Sequence, residues 1–264
     1  MRIGLLVEGV CPGFNKFIHT LVQKSENVIV GFSNGWGGLY RDESHFIDVR
    51  MTAGFENLGG SILPSLFLKD IPKGWKYKIM QNLLKYKIDL LLVVGNEYSL
   101  DLLNELFSAG VRVILIPSAD FGLNIGSYKM GLNTILNKLS ECMYYFKNFS
   151  KTSGRKTVLC LSQRFRDFVI QMKNVHNFFM NEVSDQIFIS WDGHYDCTVK
   201  IDGILSASKP LKKDLSFAED LAKVLLSRSS LRGGSMLVYD EDFEFLTLQS
   251  FRNTGVIKRG EVIT

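Results

Sequence analysis

The chain has 264 residues, 46% of them hydrophobic and 22% charged, with 23 glycines and 5 prolines, a globular composition that excludes collagen-like, disordered and coiled-coil classes. A net charge of +4 is too small for this length to call for nucleic acid as a partner. Four cysteines, Cys11, Cys142, Cys160 and Cys197, stand far apart with no CxxC pair, which suits buried free thiols in a reducing compartment.

In chain order, the run from Ile3 to Val7 reads as a buried strand; it is too short for a signal peptide's apolar core and is followed by Glu8. Phe14 to Lys24 has helical spacing, Val28 to Phe32 reads as strand, Tyr77 to Tyr86 as helix, Leu90 to Val94 as strand, Leu100 to Ala109 as helix and Arg112 to Ile116 as strand. Continuous apolar strands alternating with amphipathic helices predict a parallel sheet covered on both faces. Ile135, Leu136, Leu139, Cys142 and Met143 predict a helix over 133–149, and Ser150 to Lys156 reads as a polar break before a strand at Thr157 to Leu161. Two further runs, Gln186 to Trp191 and Asp196 to Ile201, flank the turn-like Asp192-Gly193-His194-Tyr195, and Phe217 to Leu226 reads as helix. No segment has the roughly 18 uninterrupted apolar residues of a spanning helix, so a soluble, cytoplasmic protein with no membrane partner is expected.

In open parallel sheets ligands bind beyond the carboxyl ends of the strands, so the loops that follow the strands are the candidate sites. Glu8-Gly9-Val10-Cys11-Pro12-Gly13-Phe14-Asn15 is a glycine-rich turn feeding a helix whose free N–H groups could receive phosphate. Gly95-Asn96-Glu97-Tyr98-Ser99 is a second strand-to-helix turn, and Pro117 to Ser127 is a third, longer loop. Asp192, His194 and Asp196 alternate and could hold a divalent cation, although a solvated hairpin accounts for them equally. Lys69, Lys73, Lys76, Lys78, Lys85 and Lys87 flank Trp75, Tyr77 and Tyr86; with Leu83, Leu84 and Ile88 on the buried side they read as a solvated helix face rather than a nucleic-acid stripe.

The order and spacing of these loops resemble the phosphofructokinase family over most of the chain. Gly9 with Pro12-Gly13-Phe14-Asn15 is similar to that family's GGxxPGxN loop, and Leu58-Gly59-Gly60-Ser61-Ile62-Leu63 to its GG[ST]xLG segment. Val93 to Ser99 falls on the GGDGS turn, Pro117 to Ser127 on the TIDND stretch, and Gly131 to Asn137 on the helix after it. Leu161-Ser162-Gln163-Arg164 resembles the MGR motif, and Leu231-Arg232-Gly233-Gly234-Ser235 with Tyr239-Asp240 the QRGGSPxxYD motif. The resemblance implies an α/β fold of two Rossmann-like, three-layer parallel-sheet domains, 1–133 on the nucleotide side and 134–264 on the sugar-phosphate side, with the tail packing back on the first. It also implies a homo-oligomer and, where active, transfer of a phosphoryl group from ATP or pyrophosphate, with Mg²⁺, to fructose 6-phosphate.

The chemical positions depart from the family pattern. In the gapless match the base position holds Phe121 and the second aspartate position Leu123; Asp120 could serve as base only in a shifted register. Glu97 keeps a carboxylate at the metal-side position, but Asn96 and Tyr98 replace close-approach glycines, and Glu8 replaces the first glycine of the phosphate loop. Glu8 there opposes a polyanion by like charge unless a cation intervenes, in which case it could join Glu97 in holding Mg²⁺. Gly9, Gly13, Gly95, Glu97 and Ser99 remain as phosphate-loop candidates, Glu97 as the metal candidate, and Arg164 and Arg232 as sugar-phosphate ligands suited to bidentate pairing. The expected function is a degenerate phosphofructokinase-like protein keeping at most a phosphate-ester site. The alternatives are a diverged sugar-phosphate kinase using Asp120, for which alone Mg²⁺ and ATP or pyrophosphate would be cofactors, and a non-catalytic assembly subunit.

Overall fold

The computed structural model describes residues 1–64, 74–95, 98–119, 126–173, 175–191, 196–228 and 233–248. Its larger sheet contains β1 (Arg2–Val7), β2 (Val28–Phe32), β3 (Ser44–Ile47), β4 (Leu90–Gly95) and β5 (Val113–Pro117) from the first half of the chain, joined by β10 (Ser235–Asp240) and β11 (Asp242–Thr247). The order is β11-β10-β5-β4-β1-β2-β3, with parallel pairing throughout except at the two edges, where β3 and β11 run antiparallel.

Because successive side chains of a strand point to opposite faces, each strand feeds two cores. Ile3, Leu5, Leu92, Val94 and Ile114 pack with Phe14, Phe17 and Leu21 of α1 (Phe14–Lys24) and with Leu221 and Leu225 of α9 (Lys212–Arg228). Leu6, Leu91, Val93 and Leu115 pack on the other face with Trp36 and Leu39 of α2 (Gly35–Arg41), Ile79 and Leu83 of α4 (Trp75–Lys85), and Leu103 and Leu106 of α5 (Tyr98–Ser108). Every residue of β4 and β5 is buried, as their unbroken apolar composition requires.

The smaller sheet has order β7-β8-β6-β9, built from β6 (Thr157–Ser162), β7 (Phe179–Val183), β8 (Gln186–Ser190) and β9 (Cys197–Lys200). Its core joins Leu159, Leu161, Ile187 and Ile189 to Ile135 and Leu139 of α6 (Leu132–Ser153), to Phe168 and Val169 of α7 (Arg166–Met172) and to Leu205 of α8 (Asp202–Ser206). This sheet is mixed rather than parallel: β6 pairs β9 parallel, but β8 is antiparallel to both β6 and β7. Only Ser184 and Asp185 separate β7 from β8, and a two-residue link permits antiparallel pairing alone.

Three further expectations are corrected. The runs ending in β8 and β9 do not form a hairpin, since β6 lies between them. α6 continues through the expected polar break to Ser153, with the Thr152 and Ser153 hydroxyls turned back to the carbonyls of Asn148 and Phe149; it stops at Gly154, where φ is 69°. α9 begins at Lys212, five residues before the apolar pattern shows it. Lys85 of α4 pairs with Asp42 and Lys76 lies 3.8 Å from Glu105, so these two lysines serve intramolecular ion pairs on a solvated face. No helix among the described residues is long and apolar enough to cross a membrane.

Candidate functional site

The strand order reverses between the parallel neighbours β1 and β4: β2 and β3 follow on one side of β1, β5 on the other side of β4. At such a switch point the connections leave to opposite faces and open a crevice at the strand ends. Here α1 leaves β1 toward one core and α5 leaves β4 toward the other. The expected loop glycines are where this geometry needs them. Gly9 has φ 87° and Gly13, at the N-cap of α1, has φ 93°, both in the region that disfavours a Cβ.

Glu8 stands directly in this crevice and is 6% exposed. Its N–H donates to the Val94 carbonyl (2.9 Å), which ties the β1 loop to β4. The Ser99 hydroxyl in the first turn of α5 donates to Glu8 Oε2 (2.5 Å) and in turn accepts from Trp36 Nε1 (3.1 Å). A Cβ built on Gly95 would lie 2.5 Å from the same Glu8 oxygen, so Gly95 is the residue that leaves room for the carboxylate. Glu8, read from the sequence as a charge opposing a polyanion, is thus buried and hydrogen bonded at the end of β1. Trp36 was not foreseen in this role, and its setting among Gly35, Gly37 and Gly38 was the available signal.

Asn15, the last residue of the phosphate-loop motif, turns to the chain's own backbone. Its Nδ2 donates to the Leu58 carbonyl (3.2 Å) and its Oδ1 accepts from Ile62 N (2.9 Å), which anchors the Leu58 to Ile62 segment. A second buried carboxylate, Asp214 at the start of α9, was also missed by sequence reasoning. It accepts from Tyr128 Oη (2.7 Å), Thr134 Oγ1 (2.5 Å), Thr134 N (2.6 Å) and Asn133 N (3.3 Å), and so caps α6 from another helix. Burial, followed by the bond to Asp214, drives the Tyr128 phenol far above its ordinary pKa and keeps it a neutral donor. The third loop is entered through Ser118 and Ala119 and left through Gly126 and Ser127. Ala119 N bonds the Met130 carbonyl (3.0 Å) and Ser127 N the Tyr239 carbonyl (2.8 Å), so both ends of the loop are held.

Arg164 lies in the 3-10 turn Gln163–Phe165 after β6, with its guanidinium 4.9 Å from the Phe165 ring centroid. Phe165 belongs to the core of the smaller sheet, which also includes Ala119 at the start of the loop after β5. The RGGS-like segment is placed differently. Gly233 packs on Arg112 and Gly234 on Phe107, and Ser235 pairs with Ile114, so they occupy the amino ends of the strands, opposite the crevice. Glu97, Asp120, Phe121, Leu123 and Arg232 lie outside the described residues, as do Asp192 and His194 of the suggested metal pattern. Asp196 Oδ2 accepts from Lys156 N (2.9 Å), and the described residues contain no cluster of three or more groups able to hold a metal.

These observations define an open α/β protein with a topological switch point between β1 and β4. The chain belongs to the phosphofructokinase family, whose sequence model matches residues 2–161, more than half of its length. It is 31% identical over 166 residues to a pyrophosphate–fructose 6-phosphate 1-phosphotransferase of Amycolatopsis mediterranei (strain S699), a match covering 60% of this chain and 49% of that enzyme. It is 28% identical over 170 residues to an ATP-dependent 6-phosphofructokinase of Buchnera aphidicola, covering 62% and 53%. The chain therefore spans about half the length of the curated relatives it matches. Among solved structures, phosphofructokinase of Pichia pastoris in the T-state aligns with a TM-score of 0.68 at 12% identity, over 94% of this chain and 37% of that one. A pyrophosphate-dependent phosphofructokinase of Marinobacter aquaeolei aligns at 0.64 and 11%, over 96% and 84%. At these identities the structural likeness concerns the fold.

Proposed function

We propose that this member of the phosphofructokinase family has lost most or all phosphoryl transfer and serves as a binding or regulatory protein for a phosphate ester of the sugar-phosphate class, acting as a homo-oligomer. The observation that carries this reading is the buried Glu8 carboxylate at the switch point. Phe121 and Leu123 at the matched base positions support it, since neither side chain takes a proton. Arg164, in the turn after β6, is the candidate ligand for the ester. Arg232 stays in this reading as the second candidate ligand for the ester, on the strength of the RGGS-like motif that carries it.

Purified full-length protein is expected to show no ATP- or pyrophosphate-dependent phosphorylation of fructose 6-phosphate. Loss of a general base alone costs roughly 10²- to 10⁴-fold. Fructose 6-phosphate titrated by calorimetry should bind, with Arg164→Ala weakening it about tenfold or more and Lys76→Ala leaving it unchanged, since one charge-assisted hydrogen bond contributes about 1.5 to 3 kcal/mol. Equal affinity in all three proteins would make Arg164 structural and favour the assembly-subunit reading.

A second reading, a diverged kinase, draws on the phosphotransferase activities of the relatives. Asp120 would then act as base and Glu97 would help hold Mg²⁺ beside ATP or pyrophosphate. Of the described crevice residues, Glu8 is the carboxylate, and it already accepts the Ser99 hydroxyl, so the described residues do not by themselves form a cation site. Turnover near 1 s⁻¹, about the low end for kinases, abolished by Asp120→Asn, would decide for this reading.

A further inference from the structure

The crevice between β1 and β4 is where an open sheet of this order takes a ligand, and the chemistry of its walls selects an anion. α1 and α5 both begin there, and the backbone N–H groups of a helix start favour negative charge. α1 has neither a side-chain cap nor an acidic residue in its first turn, whereas α5 carries Asp101 in its own. The crevice is nevertheless filled from within. Glu8 is stapled to β4 by its own N–H, its Oε2 receives the Ser99 hydroxyl, and Trp36 orients that hydroxyl by donating to it. The carboxylate fits because Gly95 has no Cβ, and it is almost wholly withdrawn from water.

We propose that the Glu8 side chain is a built-in occupant of the switch-point crevice: an internal anion that stands where a phosphoryl group would otherwise enter, and closes that subsite to pyrophosphate. This deepens the functional reading above by naming the residue that blocks the donor side. It stands or falls separately from sugar-phosphate binding, which is read at Arg164. Three consequences separate occupancy from charge. Wild-type protein gains no thermal stability from inorganic pyrophosphate. Glu8→Gly empties the space and lets pyrophosphate in. Glu8→Gln removes the charge but keeps the volume and an acceptor for Ser99, so the subsite stays closed.

The test is a thermal-unfolding series on the full chain with increasing pyrophosphate, with and without Mg²⁺. The expected result is a pyrophosphate-dependent rise in Tm of roughly 3 °C or more for Glu8→Gly at about ten times its Kd, with wild type and Glu8→Gln unmoved. Should Glu8→Gly not fold, Glu8→Ser, which leaves a short hydroxyl near Ser99, takes its place with the same expectation. Three results would overturn the proposal: stabilisation of wild type by pyrophosphate, no gain in a folded Glu8→Gly or Glu8→Ser protein, or a gain in Glu8→Gln equal to theirs. Fructose 6-phosphate titrated against the same three proteins and against Arg164→Ala serves as the independent reading: its affinity should fall in Arg164→Ala and be equal in the other three.

Discussion

Asp214 is fully buried and its two oxygens take four donors from the Tyr128 to Thr134 stretch. Removing the acceptor strands those donors in a place water does not reach, so Asp214→Ala should destabilise the fold by about 3 to 5 kcal/mol, judged from roughly 1 to 3 per buried unpaired group. Asp214→Asn keeps the shape and one carbonyl oxygen, and should lose clearly less. Urea unfolding of the two variants checks this; equal losses would show that the site needs the charge rather than the acceptors. Nothing in the local sequence marks Asp214, because its partners lie about 80 residues away. Glu8 was legible as an anomaly in a phosphate loop, yet whether it met solvent or the crevice depended on Ser99 and Trp36, which the chain brings in from elsewhere.

α1 and α9 lie side by side under the larger sheet, and Glu219 ties them: its carboxylate sits 2.8 Å from Lys223 Nζ and 3.1 Å from Lys16 Nζ. Hydrogen bonds from Lys223 and then Lys16 hold the Glu219 pKa down at about 2, against an ordinary 4.5. A carboxylate lowered in the folded state stabilises fully above its unfolded pKa and loses that contribution as pH falls through the folded one. The stability gap between wild type and Glu219→Gln should therefore be constant above about pH 5 and close toward pH 2. The group is largely solvated, so the gap will be small and will shrink with salt. A gap that persists unchanged at pH 2 in thermal unfolding would assign it to packing. At this scale the sequence was most readable where burial is uniform. β1, β2, β4, β5 and α1 follow from unbroken apolar runs and a clean helical stripe. β7 was missed because four of its five residues, Phe179, Asn181, Glu182 and Val183, are exposed, which leaves no alternation to detect.

The two sheets are brought together by close backbone approaches. Gly59 lies against the connection between α8 and α9, where a Cβ would meet the Ala207 carbonyl oxygen at 2.2 Å and that of Ser208 at 2.5 Å. Neither backbone atom can step aside cheaply. Gly59→Ala should cost about 2 to 3 kcal/mol, at the upper end for an overpacked site. Gly203→Ala, in α8 with no atom within 4 Å of the added methyl, should be neutral or stabilising by about 0.5 to 1 kcal/mol. Chemical denaturation of both variants makes the comparison; a harmless Gly59→Ala would mean that the layers can separate freely at this joint. The same approach explains why the Leu58 to Ile62 segment is held by Asn15 on one side and by the α8–α9 connection on the other.

By itself the sequence determined the α/β class, the central parallel strands and the family, because those rest on local hydrophobic period and on motifs whose glycines answer to local turns. Tertiary structure alone decided three other matters. It paired β10 with β5 across more than a hundred residues of chain, which sent Gly233 and Gly234 to the far ends of the strands although their motif resembled a ligand loop. It made the smaller sheet mixed, since β6 was placed between β8 and β9. It also turned Glu8 inward, because the direction of a side chain at a strand end is chosen by what the neighbouring strand and helix offer it, here the space above Gly95 and the hydroxyl of Ser99.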